Sequence, residues 1–201
     1  MPATAADDDA LSGAKQVLRH AVQLRRESRR PEQRTADDEA RLAVVDEALA
    51  TTLPRTVAAY LSTGVEPGTL QLVGWLAAHG VEVLLPVLSL GPAPAWAPYG
   101  GPDALRLGRH GILEPTTGPL PDGGLSRAEL VLCPGLAANR RGDRLGRGGG
   151  WYDRALVSAD PGAPVWVLLN ADEVLETIPA QAWDRPVDAI VTPEALLPCV
   201  R

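Results

Sequence analysis

The feature that most constrains the fold is the alternation of short, almost continuously apolar segments with helix-like ones. The apolar runs occupy residues 57–61, 81–87, 130–133, 165–169 and 187–191. Runs of this length with few polar residues are typical of strands that helices bury on both faces. A helix-like segment over 69–79, ended by Gly80, separates the first two runs. The pattern therefore predicts an α/β fold with a mostly parallel central sheet flanked by helices.

An N-terminal helical pair is predicted ahead of the first strand. From Ser12 onwards, apolar residues recur on one helical face, which is expected to pack on the core, and a separate stripe is basic. The apolar face comprises Ala14, Val17, Leu18, Ala21 and Leu24. The basic stripe comprises Lys15, Arg19, Arg26 and Arg30. Thr35, followed by three acidic residues from Asp37, predicts the capped start of a second helix that ends before Pro54.

Two stretches lack any sustained periodicity. Residues 1–11 are small and acidic and are predicted to be a disordered lead-in, which leaves a single domain over 12–201. Residues 89–128 are rich in Pro and Gly and are predicted to form a long excursion with at most short strands or helical turns.

The charge balance excludes some classes of partner. The net charge is −6 and the pI is near 5.1, so the chain has no general attraction to nucleic acid or to an anionic membrane. No apolar run approaches the roughly 20 residues that span a bilayer. We therefore expect a cytoplasmic protein whose anionic ligands are met by a local basic patch. Lys15 is the single lysine among nineteen cationic residues.

The segment richest in chemistry is RRGDRLGRGGGWYDR, which begins at Arg140 and follows the predicted strand 130–133. In α/β sheets, ligands gather beyond the carboxyl ends of the strands. Its glycines (Gly146, Gly148, Gly149 and Gly150) allow successive N–H groups to converge on phosphate oxygens, and Arg144 and Arg147 add positive charge. The spacing fits neither a Walker A loop nor a dinucleotide fingerprint. Composition alone leaves two readings open, a phosphate-binding segment and a solvated flexible loop.

The stretch RLGRGGGWYD over 144–153, preceded by Pro134-Gly-Leu, resembles the signature of 5-formyltetrahydrofolate cyclo-ligases, also called methenyltetrahydrofolate synthetases. Further family-like motifs follow the family's order: Lys15 with Arg19, Tyr60-Leu-Ser, Glu66-x-x-Thr69, Leu85-Pro-Val, Gly111-Ile-Leu-Glu-Pro and Val187-Asp. The resemblance implies a single α/β domain of the NagB/RpiA/CoA-transferase type. It also implies an ATP- and Mg²⁺-dependent ligase that converts 5-formyltetrahydrofolate to 5,10-methenyltetrahydrofolate, ADP and phosphate. In that reaction ATP phosphorylates the formyl oxygen, and nitrogen-10 then attacks the activated carbon.

The resemblance also implies the site residues. The catalytic residues would be Lys15, Arg144 and Arg147. ATP would be bound by Lys15, Arg19, Arg144, Leu145, Gly146, Arg147, Gly148, Gly149, Gly150, Trp151 and Tyr152. The folate would contact Leu61, Glu66, Arg147, Gly148, Gly149, Gly150 and Trp151. Mg²⁺ would be held by Asp153 and Asp188. Glu114 matches a family motif, but no chemical role follows for it.

The sequence departs from the family pattern at three positions. Trp151 stands where Tyr is commoner, Gly149 where Lys sometimes occurs, and Asn139 where an acidic residue is usual. Two alternatives remain open at this stage: a non-catalytic nucleotide- or folate-binding homologue, and a sugar-phosphate enzyme on the same fold. The expected partners are the small molecules ATP and 5-formyltetrahydrofolate, without nucleic acid or membrane. We expect a monomer or a weak homodimer.

Overall fold

Residues 5–88, 93–181 and 183–200, which the computed structural model describes, form helices around a central sheet. The helices are α1 (Ala5–Ser28), α2 (Pro31–Leu49), α3 (Leu70–Ala78) and α4 (Trp151–Ala155). The strands are β1 (Thr56–Ala58), β2 (Glu82–Pro86), β3 (Trp96–Pro98), β4 (Leu105–Leu107), β5 (Leu113–Pro115), β6 (Leu130–Pro134), β7 (Ala137–Ala138), β8 (Arg144–Leu145), β9 (Val165–Leu168), β10 (Ala189–Val191) and β11 (Leu196–Pro198). Each of the five apolar runs in the sequence overlaps one of these strands.

In this described part of the chain, the central sheet has seven strands in the order β11-β10-β9-β6-β1-β2-β3. All neighbours from β10 to β2 pair in parallel, while β3 and β11 pair antiparallel at the two edges. Successive residues of β2 point to opposite faces: Val83 and Leu85 join one buried cluster and Leu84 joins the other. Because both faces are covered, the strands are apolar throughout, and the mostly parallel sheet that the sequence predicts is confirmed.

Both N-terminal helices begin earlier than the sequence pattern indicates. Helix α1 begins at Ala5, so residues 5–11 are helical and not a disordered lead-in. Alanines with acidic residues near a helix N-terminus are favourable, which explains the extension. The lead-in prediction for residues 1–4 lies outside the described residues. Helix α2 begins at Pro31, which suits the first helical position, and the Thr35 hydroxyl donates to the Pro31 carbonyl inside the helix instead of capping it.

The predicted apolar face of α1 is only partly turned inward: Leu18 packs against a buried cluster that contains Val22, but two other buried residues of the helix are basic. Val17 is 72% exposed and Leu24 is 52% exposed, whereas Lys15 and Arg26 are buried. The reason lies in what α1 covers. The Arg26 guanidinium donates to both oxygens of Glu173 at 2.7 Å and to the Gly135 carbonyl, also at 2.7 Å. A surface of carboxylate and strand-end carbonyl groups binds a guanidinium, and an apolar face could not satisfy it.

Helix α2 is tied to the same region by a second buried arginine. Arg41 donates to the Leu169 carbonyl, to Asn170 Oδ1 and to Asp38 Oδ1. Asp38 Oδ1 in turn accepts the N–H of Gly68 at 2.7 Å. Both helices are therefore held at the carboxyl ends of the parallel strands by polar contacts.

The region between β2 and β6 contains short strands and single helical turns, as predicted, and residues 89–92 lie outside the described part. Strands β4 and β5 form a separate two-stranded sheet. None of the described helices combines the length and apolar character needed to cross a membrane. The cytoplasmic location stays a prediction.

Two glycine substitutions are expected to change stability in opposite directions. Gly142 has φ +91°, and a Cβ there would lie 2.5 Å from the Val187 carbonyl oxygen, so Gly142→Ala should lower the free energy of unfolding by about 1–3 kcal/mol. Gly74 lies exposed within α3 with open space around it, so Gly74→Ala should raise that free energy by about 0.5–1 kcal/mol. Urea unfolding of both variants checks this. Equal effects would contradict the assigned turn geometry at Gly142.

Candidate functional site

A cavity of about 1220 Å³ opens beyond the carboxyl ends of β1 and β6. Tyr60 and Leu61, just after β1, and Gly135, just after β6, form part of its wall. The residues from Arg144 to Arg154 line another side, and α1 contributes Lys15 and Arg19. This is the sheet edge at which α/β proteins bind ligands.

The cavity brings together most of the residues that the sequence singled out. Those that line it are Lys15, Arg19, Leu61, Glu66, Arg144, Leu145, Gly146, Arg147, Gly148, Gly149, Gly150, Trp151, Tyr152 and Asp153. Residues from three distant parts of the chain thus share one space. Asp188 is not among the lining residues.

The Gly-rich segment, residues 146–150, is held against α1. Arg19 Nε donates to the Gly146 carbonyl at 2.9 Å, and a Cβ at Gly148 would lie 3.3 Å from the Arg19 guanidinium carbon. Gly148 has φ +99° and Gly150, which precedes α4, has φ +61°. Gly148 therefore combines a backbone angle that favours glycine with a contact so close that the Arg19 side chain would have to shift to admit a Cβ. This packing favours the reading of a built segment over that of a solvated loop.

Lys15 is buried in the cavity wall with two partners that sequence reasoning missed. Its Nζ lies 2.6 Å from Asp184 Oδ2 and 2.8 Å from Gln181 Oε1. The Lys15 side chain is only 8% exposed. Its partners lie more than 160 positions further along the chain, so no local pattern signals the pairing. The acceptors fix the ammonium group at a defined point of the wall.

Arg144 is the most deeply buried of the cavity arginines. Its side chain is 3% exposed, and its Nη2 donates to Asp153 Oδ1 at 2.8 Å. Asp153 Oδ1 also accepts the backbone N–H of Arg185 at 3.2 Å. Asp153 therefore neutralises Arg144 and fixes the direction of its guanidinium group.

An ion pair joins the Gly-rich segment to the loop after β1. Arg147 Nε lies 3.1 Å from Glu66 Oε1. The Arg147 side chain is 55% exposed, whereas that of Glu66 is only 10% exposed. Glu66 Oε2 accepts the Thr63 N–H at 2.8 Å, which fixes the carboxylate. Glu66 thus presents an oriented acceptor to the cavity.

Three aromatic rings pack together beside the Gly-rich segment. The ring centroid of Trp151 lies 5.6 Å from that of Trp96 and 4.9 Å from that of Tyr152. The larger ring at position 151 is therefore accommodated by contact with Trp96. Burial, followed by the charges of neighbouring groups, raises the pKa of Tyr152 well above its ordinary value. Its hydroxyl stays protonated at neutral pH.

Asn139 satisfies the position where the family pattern has an acid. It is fully buried, and its amide nitrogen donates to Asp143 Oδ2 at 2.7 Å. Its Oδ1 accepts the N–H groups of Arg141 and Asp143. A carboxylate in its place would face Asp143 without a donor. The amide therefore gives the turn a complete hydrogen-bond set.

Glu114, for which the sequence offered no role, supports the cavity wall. It is fully buried, and its Oε1 accepts the N–H of Leu88, which lines the cavity. Gly108 packs against it so closely that a Cβ there would lie 2.4 Å from the carboxyl carbon. The family motif around Glu114 was the signal that the sequence offered. That motif does not reveal the backbone N–H that the carboxylate accepts.

The two predicted metal ligands are not brought together in the cavity wall. Asp188 directly precedes β10, at the amino ends of the parallel strands, and its Oδ2 accepts the Val165 N–H at 2.8 Å. Asp153 lines the cavity beyond the carboxyl ends. Within the described ranges, no group of three or more His, Cys, Asp or Glu side chains is placed to hold a metal ion. A two-carboxylate site stays a prediction.

Sequence comparison places this chain beside proteins named 5-formyltetrahydrofolate cyclo-ligase. The sequence profile of the 5-formyltetrahydrofolate cyclo-ligase family matches residues 11–193. A protein named 5-formyltetrahydrofolate cyclo-ligase from Mycolicibacterium smegmatis is 40% identical over 145 residues, which cover 70% of this chain and 74% of that protein. The protein of the same name from Escherichia coli is 34% identical over 147 residues, covering 70% of this chain and 79% of the relative.

Solved structures agree with the fold. The structure of Aquifex aeolicus 5,10-methenyltetrahydrofolate synthetase has a TM-score of 0.81 at 26% identity and covers 93% of each chain. A second synthetase structure, from Mycoplasma pneumoniae, has a TM-score of 0.72 at 17% identity over 90% of this chain and 99% of that one, and bears on the fold alone. The predicted α/β domain with a mostly parallel sheet and an N-terminal helical pair is confirmed.

Proposed function

Since this chain belongs to the 5-formyltetrahydrofolate cyclo-ligase family, we propose that it uses ATP to close 5-formyltetrahydrofolate into 5,10-methenyltetrahydrofolate, with release of ADP and phosphate. The observation that carries the proposal is one cavity whose lining includes Lys15, Arg144 and the Gly-rich segment together with Leu61 and Glu66. Its 1220 Å³ exceeds the range of about 300–1,000 Å³ typical of pockets for one small molecule. The space suits two substrates side by side.

The nucleotide binds on the cationic side in this proposal. Lys15 and Arg19 come from neighbouring turns of α1, and Arg144 and Arg147 flank Gly146. Amides of the Gly-rich segment donate to phosphate oxygens, and the arginines offer paired N–H donors. Leu145, Trp151 and Tyr152 complete the predicted nucleotide contacts.

The folate binds on the side of β1. Glu66 is an oriented acceptor for the N–H groups of the pterin ring, and Leu61 supplies an apolar wall. The predicted contacts of the Gly-rich segment and Trp151 include both substrates. Shared contacts of this kind would bring the formyl group close to the terminal phosphate.

The chemistry requires activation of a poor electrophile. A formamide oxygen is a weak leaving group, so transfer of the terminal phosphoryl group of ATP to that oxygen converts it to a phosphate. Nitrogen-10 attacks the formyl carbon and loses its proton, the ring closes and phosphate leaves. Phosphoryl transfer depends on alignment and on cations placed against developing negative charge. Lys15, Arg144 and Arg147 supply those cations here.

The cavity fits Mg²⁺ through one of its two predicted ligands. Mg²⁺ prefers oxygen ligands and usually takes one or two carboxylates together with substrate phosphates. In the described residues, Asp153 uses only Oδ1 for its hydrogen bonds, which leaves Oδ2 for a cation. When bound, the ion would neutralise charge on the transferring phosphoryl group. Asp188 remains the predicted second ligand.

Replacing Lys15 should weaken ATP binding selectively. Lys15→Met keeps the stem length but removes the ammonium group, so we expect the KM for ATP to rise about tenfold, a loss typical of one hydrogen bond to a charged group. The KM for 5-formyltetrahydrofolate should stay within about twofold, since Glu66 and Leu61 are untouched. Steady-state kinetics with each substrate varied in turn measure both constants. An unchanged KM for ATP would remove Lys15 from the nucleotide site.

The activity itself is tested by absorbance of the methenyl product. Wild-type protein is mixed with 5-formyltetrahydrofolate, Mg²⁺ and ATP, and ATP-free and Mg²⁺-free samples serve as controls. Product formed only in the complete mixture supports the proposal. A flat trace from folded protein that binds ATP would identify a non-catalytic binding homologue.

A further inference from the structure

We propose that the Tyr60 hydroxyl is a specificity-determining hydrogen-bond donor for the folate, and that it donates to the ring carbonyl adjacent to the N–H groups accepted by Glu66. This inference rests on the proposed function, because it names a contact made by that substrate. The sequence placed Tyr60 only in a strand motif and gave it no contact.

The Tyr60 side chain has a fixed position at the edge of the cavity. Tyr60 lies just beyond the carboxyl end of β1 and lines the cavity, yet it is only 4% exposed. Its backbone is fixed, because its carbonyl accepts the Thr69 hydroxyl at 2.6 Å. The ring is therefore held in place at the cavity edge.

The hydroxyl group of Tyr60 has an unsatisfied hydrogen-bonding capacity. The Tyr60 hydroxyl is buried and has no hydrogen-bond partner among the described residues. Buried polar groups are nearly always paired, because an unpaired one loses its hydrogen bonds to water without compensation. A phenylalanine would fill the same space without that loss. Because Tyr60 lines the cavity, a ligand bound there is the partner that we assign to this hydroxyl.

The surroundings of Tyr60 keep its hydroxyl protonated. Burial, followed by the negative charge of Glu66, raises the pKa of Tyr60 above its ordinary value. The hydroxyl keeps its proton at neutral pH and can donate. Glu66 is an acceptor in the same wall, fixed through the Thr63 N–H. The wall thus offers a hydrogen-bond donor and a hydrogen-bond acceptor to the same end of the cavity.

The reduced pterin ring has the complementary pattern. It carries a carbonyl oxygen next to a ring N–H and an amino group. Glu66 accepts from the N–H groups, and Tyr60 donates to the carbonyl. A site built to hydrogen-bond a polar atom discriminates strongly against ligands that lack it. Because the ring carbonyl does not react, the contact stabilises bound substrate and transition state equally.

The test compares Tyr60→Phe with Tyr99→Phe. Tyr99 packs against the core and does not line the cavity, so its hydroxyl serves as the matched control. For Tyr60→Phe we expect the KM for 5-formyltetrahydrofolate to rise about tenfold, while kcat and the KM for ATP stay within about twofold. Tyr99→Phe should leave all three unchanged. The urea midpoint of Tyr60→Phe should not fall, because an unpaired hydroxyl contributes no stabilising contact.

A binding measurement distinguishes this inference from the proposed function. Tetrahydrofolate, which lacks the formyl group, is titrated into both variants and the wild type without ATP. The dissociation constant for Tyr60→Phe should rise about tenfold, whether or not the wild type turns over. An unchanged constant overturns the inference, as does a fall in kcat without a change in tetrahydrofolate binding, which would place the hydroxyl on the formyl oxygen. If the wild type binds tetrahydrofolate but forms no methenyl product, the proposed function fails. The dissociation constants for tetrahydrofolate still show whether Tyr60 contacts the folate.

Discussion

An Arg147→Ala variant should form methenyltetrahydrofolate with a kcat about 10²–10³-fold below wild type, the loss expected when one donor to developing charge is removed. Arg147 belongs to the Gly-rich segment and is 55% exposed, so its guanidinium can leave Glu66 and meet the transferring phosphoryl group. Its contribution is largest in the transition state, when negative charge spreads over the phosphoryl oxygens. The loss should therefore appear in kcat more than in the KM for ATP.

The matched control is Arg140→Ala. Arg140 lies in the same arginine-rich stretch, but it bonds the Pro198 carbonyl and does not line the cavity. Its removal should leave kcat within about twofold of wild type, as for surface substitutions away from a site. Single-turnover measurements with saturating ATP separate chemistry from product release. If Arg147→Ala raises only the KM, the residue binds nucleotide without assisting the transfer.

A Glu173→Ala variant should lose about 3–5 kcal/mol of unfolding free energy, the loss typical of breaking a buried ion pair by removing one partner. Glu173 and Arg26 are each about 1% exposed, and the carboxylate also accepts the backbone and side-chain N–H groups of Asn170. Without Glu173, the Arg26 guanidinium stays buried with only the Gly135 carbonyl as partner. Urea unfolding followed by circular dichroism gives the free energy.

Two further variants test whether the lost unfolding free energy comes from leaving a buried charge unpaired. Glu129→Ala removes an exposed ion pair, since its partner Arg55 is 90% exposed, and should leave the urea midpoint nearly unchanged. The double variant Arg26→Met with Glu173→Leu replaces both charges by apolar groups and should recover much of the stability. If Glu173→Ala lowers the unfolding free energy no more than Glu129→Ala does, the Arg26–Glu173 ion pair does not hold α1 on the sheet.

The sheet was predictable because its strands are short, apolar and bounded by turn residues. Val83, Leu84 and Leu85 are apolar in succession, and a run of this length is typical of a strand covered on both faces. The sequence also placed the Gly-rich segment correctly at a strand end, where the cavity lies. Local composition and the geometry of parallel sheets were sufficient for both.

The orientation of α1 was not predictable by the same reasoning. Periodicity assigns Val17 and Leu24 to an apolar face, but part of the surface that α1 covers is polar and is contributed by Gly135 and Glu173. A sequence pattern reports the residues of the helix and says nothing of the surface opposite. Asp184 was missed for a similar reason, because its importance lies in its contact with Lys15. The site roles assigned by resemblance stay predictions.

The contacts of α1 have a consequence for how the cavity is assembled in time. Lys15 meets Gln181 and Asp184 at sequence separations of 166 and 169 residues, and Arg26 meets Glu173 at a separation of 147. During synthesis these early residues emerge long before their partners, so the cavity wall is incomplete until residues 173–184 have left the ribosome. Contacts between residues so far apart in sequence are slow to form, because the chain loses loop-closure entropy before the contact stabilises it. The recovery of ligand binding after dilution from denaturant should therefore lag behind the recovery of helix content, and fragments that lack residues 173–184 should form helices but no site.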